Sequence, residues 1–174
     1  MSERDALRER LERYRGVTLV TLDAVPEDRM AWSPQPELFT FGQQFYHIFQ
    51  AEDYYSRGLL EQDWRLDRIR MPSALPARDT IRDQLLEIRR YTLDGLDAWD
   101  DAALQEEVTP PNLQVSWTVR GWFDFVLEHE IHHRAQTALY LRLLGMTPPF
   151  YAAVLDGGGR PDIEARRQLD AGLV

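Results

Sequence analysis

The stretch from Thr118 to Gly145 constrains this chain most. Positions 122, 126, 129, 133, 136, 140 and 143 advance by alternating four and three residues, the spacing of one helix face. They hold Trp122, Val126, His129, His133, Gln136, Tyr140 and Leu143. Both ends of this seam are apolar or aromatic, as an inward face requires, but its middle is His, His and Gln. A buried polar group without a partner costs roughly 1–3 kcal/mol, so the seam demands compensation. A divalent metal can supply it, because neutral imidazole is a good ligand and histidines four residues apart project side by side. Thr118 is the expected N-cap, Trp117 and Trp122 have the spacing of a hydrophobic staple, and Gly145 is the expected terminator with Pro148 beyond.

Three further stretches share the helical period. The first starts near Ser2, runs through Leu7, Leu11, Tyr14 and Leu22, and stops before Pro26. The second opens at Thr40, with Gln43 at capping-box spacing, carries Phe41, Phe45, Ile48, Tyr55 and Leu59, and ends near Leu60. The third spans about Asp79 to Trp99, with Ile81, Leu85, Ile88, Thr92 and Leu96 as its stripe. No strand-like alternation is strong enough to build a sheet. These patterns predict an all-α four-helix bundle over residues 1–151. A tail at 152–174 follows, with Gly157-Gly158-Gly159 as a hinge and a short helix expected from Asp162 to Leu169. All three connections are long, so a simple neighbour-to-neighbour helix order is not imposed.

Composition narrows the function. The formal charge is −9, from 20 Lys and Arg against 29 Asp and Glu, which argues against nucleic-acid binding by phosphate neutralisation. The chain has no cysteine, so disulfides, thiolate metal sites and cysteine nucleophiles are excluded. No apolar run reaches the ~18 residues of a membrane span, and the charged N-terminus leads into no apolar signal core. The expectation is a soluble, cytoplasmic protein acting on small molecules.

Two histidines on one helix leave a metal site incomplete. His47, on the second helix, offers a third nitrogen. On a helical wheel it falls beside the apolar stripe with Gln44, Ala51 and Gly58, a flank of small residues expected to admit the fourth helix. Three neutral histidines with an open position describe a catalytic rather than a structural site. The expected ligands are therefore His47, His129 and His133. His132 points off the seam and reads as a flanking group. Glu130 and Arg134 read as a solvated i,i+4 pair. Glu52 lies close to the second helix's stripe and is a candidate general base, although a structural role is favoured. Gln136 continues the ligand seam and is a candidate for orienting a ligand or substrate.

His129-Glu130-Ile131-His132-His133 also matches the H-E-x-x-H pattern of zinc peptidases, with Glu130 as base. The extended form of that motif needs Gly at 136 and His at 139, where this chain has Gln136 and Leu139. Glu164, beyond the glycine hinge, is the only glutamate left to serve as a third ligand.

At these same residues the sequence resembles the DinB-like family of small helical metal-dependent enzymes, which is unrelated to the DNA polymerase of the same name. The resemblance spans about residues 5–151. It is carried by Trp32-Ser33-Pro34, by Phe41-Gly42-Gln43 with His47-Ile48 and Ala51-Glu52, and by the H-x-x-x-H-R-x-Q run from His129 to Gln136. Leu143-Leu144-Gly145-Met146-Thr147-Pro148-Pro149 matches the usual helix exit. Ala135 stands where the signature often has Gly. The resemblance implies an up-down-down-up bundle, a divalent metal (zinc or nickel) on His47, His129 and His133, and a homodimer. It further implies transfer of low-molecular-weight thiols such as bacillithiol or mycothiol. A metal-dependent hydrolase and a stress-response protein that holds metal without turnover are the alternatives.

Overall fold

Ser2 caps the first helix, α1 (Glu3–Asp23), by accepting from the Asp5 amide. The computed structural model describes residues 1–149, so the expected tail and hinge, and residues 150–151 of the expected bundle, lie outside the described residues. Thr40 and Gln43 form a complete capping box at the start of α2 (Phe41–Glu61). The third helix, α3 (Arg78–Asp97), starts at Ala77 without a side-chain cap. The fourth, α4 (Val119–Leu143), is capped by Thr118, and Trp117 packs on Trp122 with ring centroids 4.6 Å apart, completing the staple. Gly145 takes the left-handed conformation at φ +74°. One feature was absent from the sequence expectation. A minimal antiparallel ribbon pairs β1 (Glu107–Val108) with β2 (Trp117–Thr118). Two residues per strand are too few for alternation to show in a sequence. The ribbon aims the start of α4, because Val108 O accepts the Trp122 indole N–H at 2.8 Å.

Side-chain contacts set the helix directions. Arg8 meets Asp97, and Arg78 meets the Val25 carbonyl, so α1 and α3 are antiparallel. Arg10 meets Asp124, and Arg134 meets the Tyr14 carbonyl, so α1 and α4 are parallel. Gln44 meets Tyr140 and Tyr55 stacks on Trp122, so α2 and α4 are antiparallel. The order is up-down-down-up, and around the bundle the principal neighbours run α1–α3–α2–α4. The long connections permit this. Trp32, in the first of them, packs against Phe41 and Tyr140.

The core is two apolar clusters with a charged layer between them. One cluster holds Leu7, Leu11, Leu96, Trp122, Phe123 and Leu127; the other holds Leu22, Phe41, Phe45, Ile81, Leu85 and Leu141. Between them each helix contributes one charge: Arg15, Glu52, Arg89 and Glu130, exposed by only 3%, 0%, 4% and 1%. Arg89 donates to Glu52 at 2.7 Å and to Glu130 at 2.8 Å. Arg15 donates to Glu130 at 3.1 Å and also pairs with Glu52. Thr18 donates to Glu130, Thr92 to Glu52, and the spare guanidinium hydrogens go to the Leu85 and Leu11 carbonyls. The ring is neutral and hydrogen-bonded throughout, the condition under which buried charge is tolerated.

This ring corrects one expectation. Glu130 is not half of a solvated pair with Arg134. It faces the bundle axis, and Arg134 turns to the Tyr14 carbonyl with its guanidinium over the Tyr14 ring. Burial alone would raise the Glu130 pKa, but the Arg15 and Arg89 guanidiniums outweigh it and hold the carboxyl at about 2. Gly58 also serves differently from expectation. A Cβ there would meet the Trp64 ring at 2.3 Å, so the glycine makes room for the connection after α2 rather than for α4.

Candidate metal centre

The α4 seam predicted from spacing is rotated slightly from the bundle axis. Phe123, Leu127, Glu130, Thr137 and Leu141 face the axis, whereas His129 is half-buried and Leu143 is exposed. α4 packs on both α1 and α2, so its buried face is wider than one seam. The histidines occupy the side of that face that meets α2.

There α2 brings His47 to the pair. His129 Nε2 lies 3.2 Å from His47 Nε2 and 3.1 Å from His133 Nε2. All three ligand atoms fall within 4.8 Å of one another, and among the described residues no carboxylate joins the cluster. Nitrogens bonded at ~2.0–2.1 Å to one tetrahedral ion stand ~3.3 Å apart, close to the two spacings at His129. Three imidazole nitrogens aimed into one space are a donor set that fits a divalent cation. The rings are also in the ligating form. Burial pushes the His47 pKa down; burial together with the neighbouring histidines lowers His129 to about 4 and His133 to about 3. All three are therefore neutral at pH 7.

The surroundings are aromatic and amide-lined. Phe39 stands edge-on to His47 at 5.5 Å and lies nearly parallel to His133 at 6.4 Å. Phe125 approaches His129 at 6.1 Å. His133 Nδ1 sits 2.5 Å from Gln44 Oε1, and the Gln44 amide donates to Gln136 Oε1 at 2.7 Å. Gln136 reaches His132 Nε2 at 2.8 Å. His132 is exposed and takes no place in the cluster. Gln136 thus acts on the site through Gln44, a residue that spacing placed only on the flank of His47. Glu52 lies in the charged ring, not among the histidines.

The peptidase reading of H-E-x-x-H fails on the same geometry. Glu130, its required base, is bound to Arg15, Arg89 and Thr18 in the bundle interior.

The sequence matches the family model of the DinB superfamily over residues 10–137. This chain belongs to the DinB superfamily. No curated protein sequence matches it significantly. Crystal structures of two DinB-like proteins are among those that share the fold. A DinB-like protein from Bacillus subtilis superposes with a TM-score of 0.66 at 18% identity, covering 84% of this chain and 96% of its own. A DinB-like protein from Bacillus cereus gives 0.66 at 20% identity, covering 79% of this chain and 90% of its own. The superfamily assignment and the three-histidine cluster are compatible with a metal-dependent function. Among the described residues no helix is long and apolar enough to cross a membrane.

Proposed function

We propose that this chain is a metal-dependent transferase that joins a low-molecular-weight thiol, of the bacillithiol or mycothiol kind, to a small electrophile. When bound, a divalent ion such as zinc or nickel lowers the pKa of a thiol or water at its open position and polarises a carbonyl. His47, His129 and His133 would hold the ion as neutral ligands and leave that position free. The chain has no cysteine, so the sulfur must arrive with the substrate. In the transfer the thiol gives its proton to solvent, sulfur forms a bond to the electrophilic carbon, and the leaving group departs with its electron pair. Phe39 and Phe125 offer an apolar wall beside the histidines for the body of that electrophile.

One observation carries the choice of transfer over hydrolysis. The buried glutamates of the two ligand-bearing helices, Glu52 and Glu130, are both committed to arginines. A carboxylate base would assist attack by metal-bound water, and none joins the cluster among the described residues. A thiol ionises far more readily than water and depends less on such a base.

Elemental analysis of untagged protein tests the metal centre. About one metal per chain is expected, lost in His47→Ala and in His133→Ala; unchanged content in both variants would remove the centre. Consumption of chloro-dinitrobenzene with bacillithiol or mycothiol tests the reaction. Turnover that needs both metal and thiol supports transfer. Ester cleavage without any thiol dependence would make the protein a hydrolase, and metal binding without turnover a binding protein.

A further inference from the structure

A ligating imidazole shows the ion one lone pair and carries its proton on the other nitrogen; a neighbour that accepts that proton fixes the tautomer. His47, His129 and His133 turn Nε2 toward one another, so ligation requires the proton on Nδ1. Two buried glutamines, three residues before and three residues after His47, bear on this requirement.

Gln44 Oε1 sits 2.5 Å from His133 Nδ1. Its amide nitrogen faces Gln136 Oε1 at 2.7 Å and Tyr140 Oη at 3.4 Å, and Gln136 in turn faces His132 Nε2. Every donor in this series meets an acceptor. Reversing it would turn both amides together and put a proton on His133 Nε2, facing the other rings. Gln50 is fixed more firmly. Its amide donates to the Arg68 carbonyl at 2.9 Å and to the Arg70 carbonyl at 2.8 Å, which uses both hydrogens. Gln50 Oε1 is left buried with no donor in good geometry. Gln50 stands three residues after His47 on the same helix, a spacing at which side chains are neighbours. A proton on His47 Nδ1 would supply the donor this oxygen lacks, and an unpartnered buried acceptor is costly enough to favour that tautomer.

We infer that Gln44 and Gln50 are positioning residues that hold His133 and His47 as Nδ1–H tautomers, with both Nε2 lone pairs aimed at one point. The inference deepens the proposed metal centre and rests on it. It makes α2 carry one ligand and the orienting partners of two, so that binding strength depends on side chains that never touch the ion.

Long-range proton–nitrogen spectra of the histidine rings read the tautomers directly, in the metal-free protein and after zinc is added. With four histidines in the chain, single replacements assign the signals. Nδ1–H is expected at His47 and His133 in both states. Competition with a chromogenic chelator should show that Gln44→Leu and Gln50→Leu still bind one zinc per chain, but about 10- to 100-fold more weakly. Gln44→Glu keeps the acceptor oxygen and should recover most of the loss. Nε2–H at either histidine of the metal-free wild type, or folded Leu variants that bind zinc as the wild type does, would overturn the assignment. If a Leu variant does not fold, the wild-type spectra and Gln44→Glu decide. A wild type that binds no zinc but shows both Nδ1–H tautomers would overturn the metal centre and leave the glutamine roles standing.

Discussion

Glu130→Gln tests the charged layer most sharply. The substitution keeps the size and hydrogen-bonding reach of the side chain but removes one of two negative charges, leaving Arg15 and Arg89 to share Glu52. Removing one partner of a buried pair costs about 3–5 kcal/mol, because the remaining charge stays buried. A second route gives the same scale. The Glu130 carboxyl is held at about 2 against an ordinary 4.5, and at ~1.36 kcal/mol per pKa unit that is on the order of 3 kcal/mol of stability. The sign follows from the direction of the shift. A folded-state pKa below the unfolded one gives stabilisation that is complete above ~4.5 and is lost as pH falls toward 2. Urea unfolding at pH 7 should show Glu130→Gln weaker by ~3 kcal/mol, and its Tm lower by ~6–12 °C. Between pH 5 and pH 2.5 the wild type should lose stability faster than the variant, and the two should converge. The buried histidines also resist protonation, but they do so in both proteins and cancel in the comparison. A variant within 1 kcal/mol of wild type at pH 7 that shows the same acid slope would refute the reasoning.

The remaining predictions concern local packing. Gly16→Ala should stabilise the protein by about 0.5–1 kcal/mol, because an added Cβ in mid-helix meets nothing within 4 Å; thermal denaturation reads the sign. Gly58→Ala should destabilise it by ~1–3 kcal/mol despite better helix propensity, since the Trp64 ring stands where the methyl would go; an unchanged Tm would contradict this. Thr118→Ala removes the acceptor for the Gly121 amide and should cost about 1 kcal/mol in urea titration.

The helices and the histidine triad were legible in the sequence because both are local signals. Caps sit beside the turns they close, and His129 and His133 are separated by one turn. The charged ring was legible only in part. Glu52 stands out beside its stripe, but nothing in the spacing of the apolar residues singles out Arg15 or Arg89. Each in fact occupies a seam position, Arg15 between Leu11 and Thr18 and Arg89 between Leu85 and Thr92. Their burial is paid for by partners on three other helices, which no single helix pattern contains. One charge per seam, two of each sign, is the signal that could have found the ring. Gln44 and Gln50 were missed for a related reason. Their hydrogen bonds run to α4 and to the connection after α2, and helical spacing is blind to both.

The winding of the chain has a consequence for its synthesis. Of the four helices α1 leaves the ribosome before the others, yet it packs chiefly on α3 and α4. Its earliest principal neighbour begins at Arg78 and its last ends at Leu143. Until those segments emerge, Leu7, Leu11 and Arg15 have nowhere to dock. The nascent α1 must therefore wait as an unpartnered amphipathic segment, whereas α2 and α3 can pair as soon as both are out.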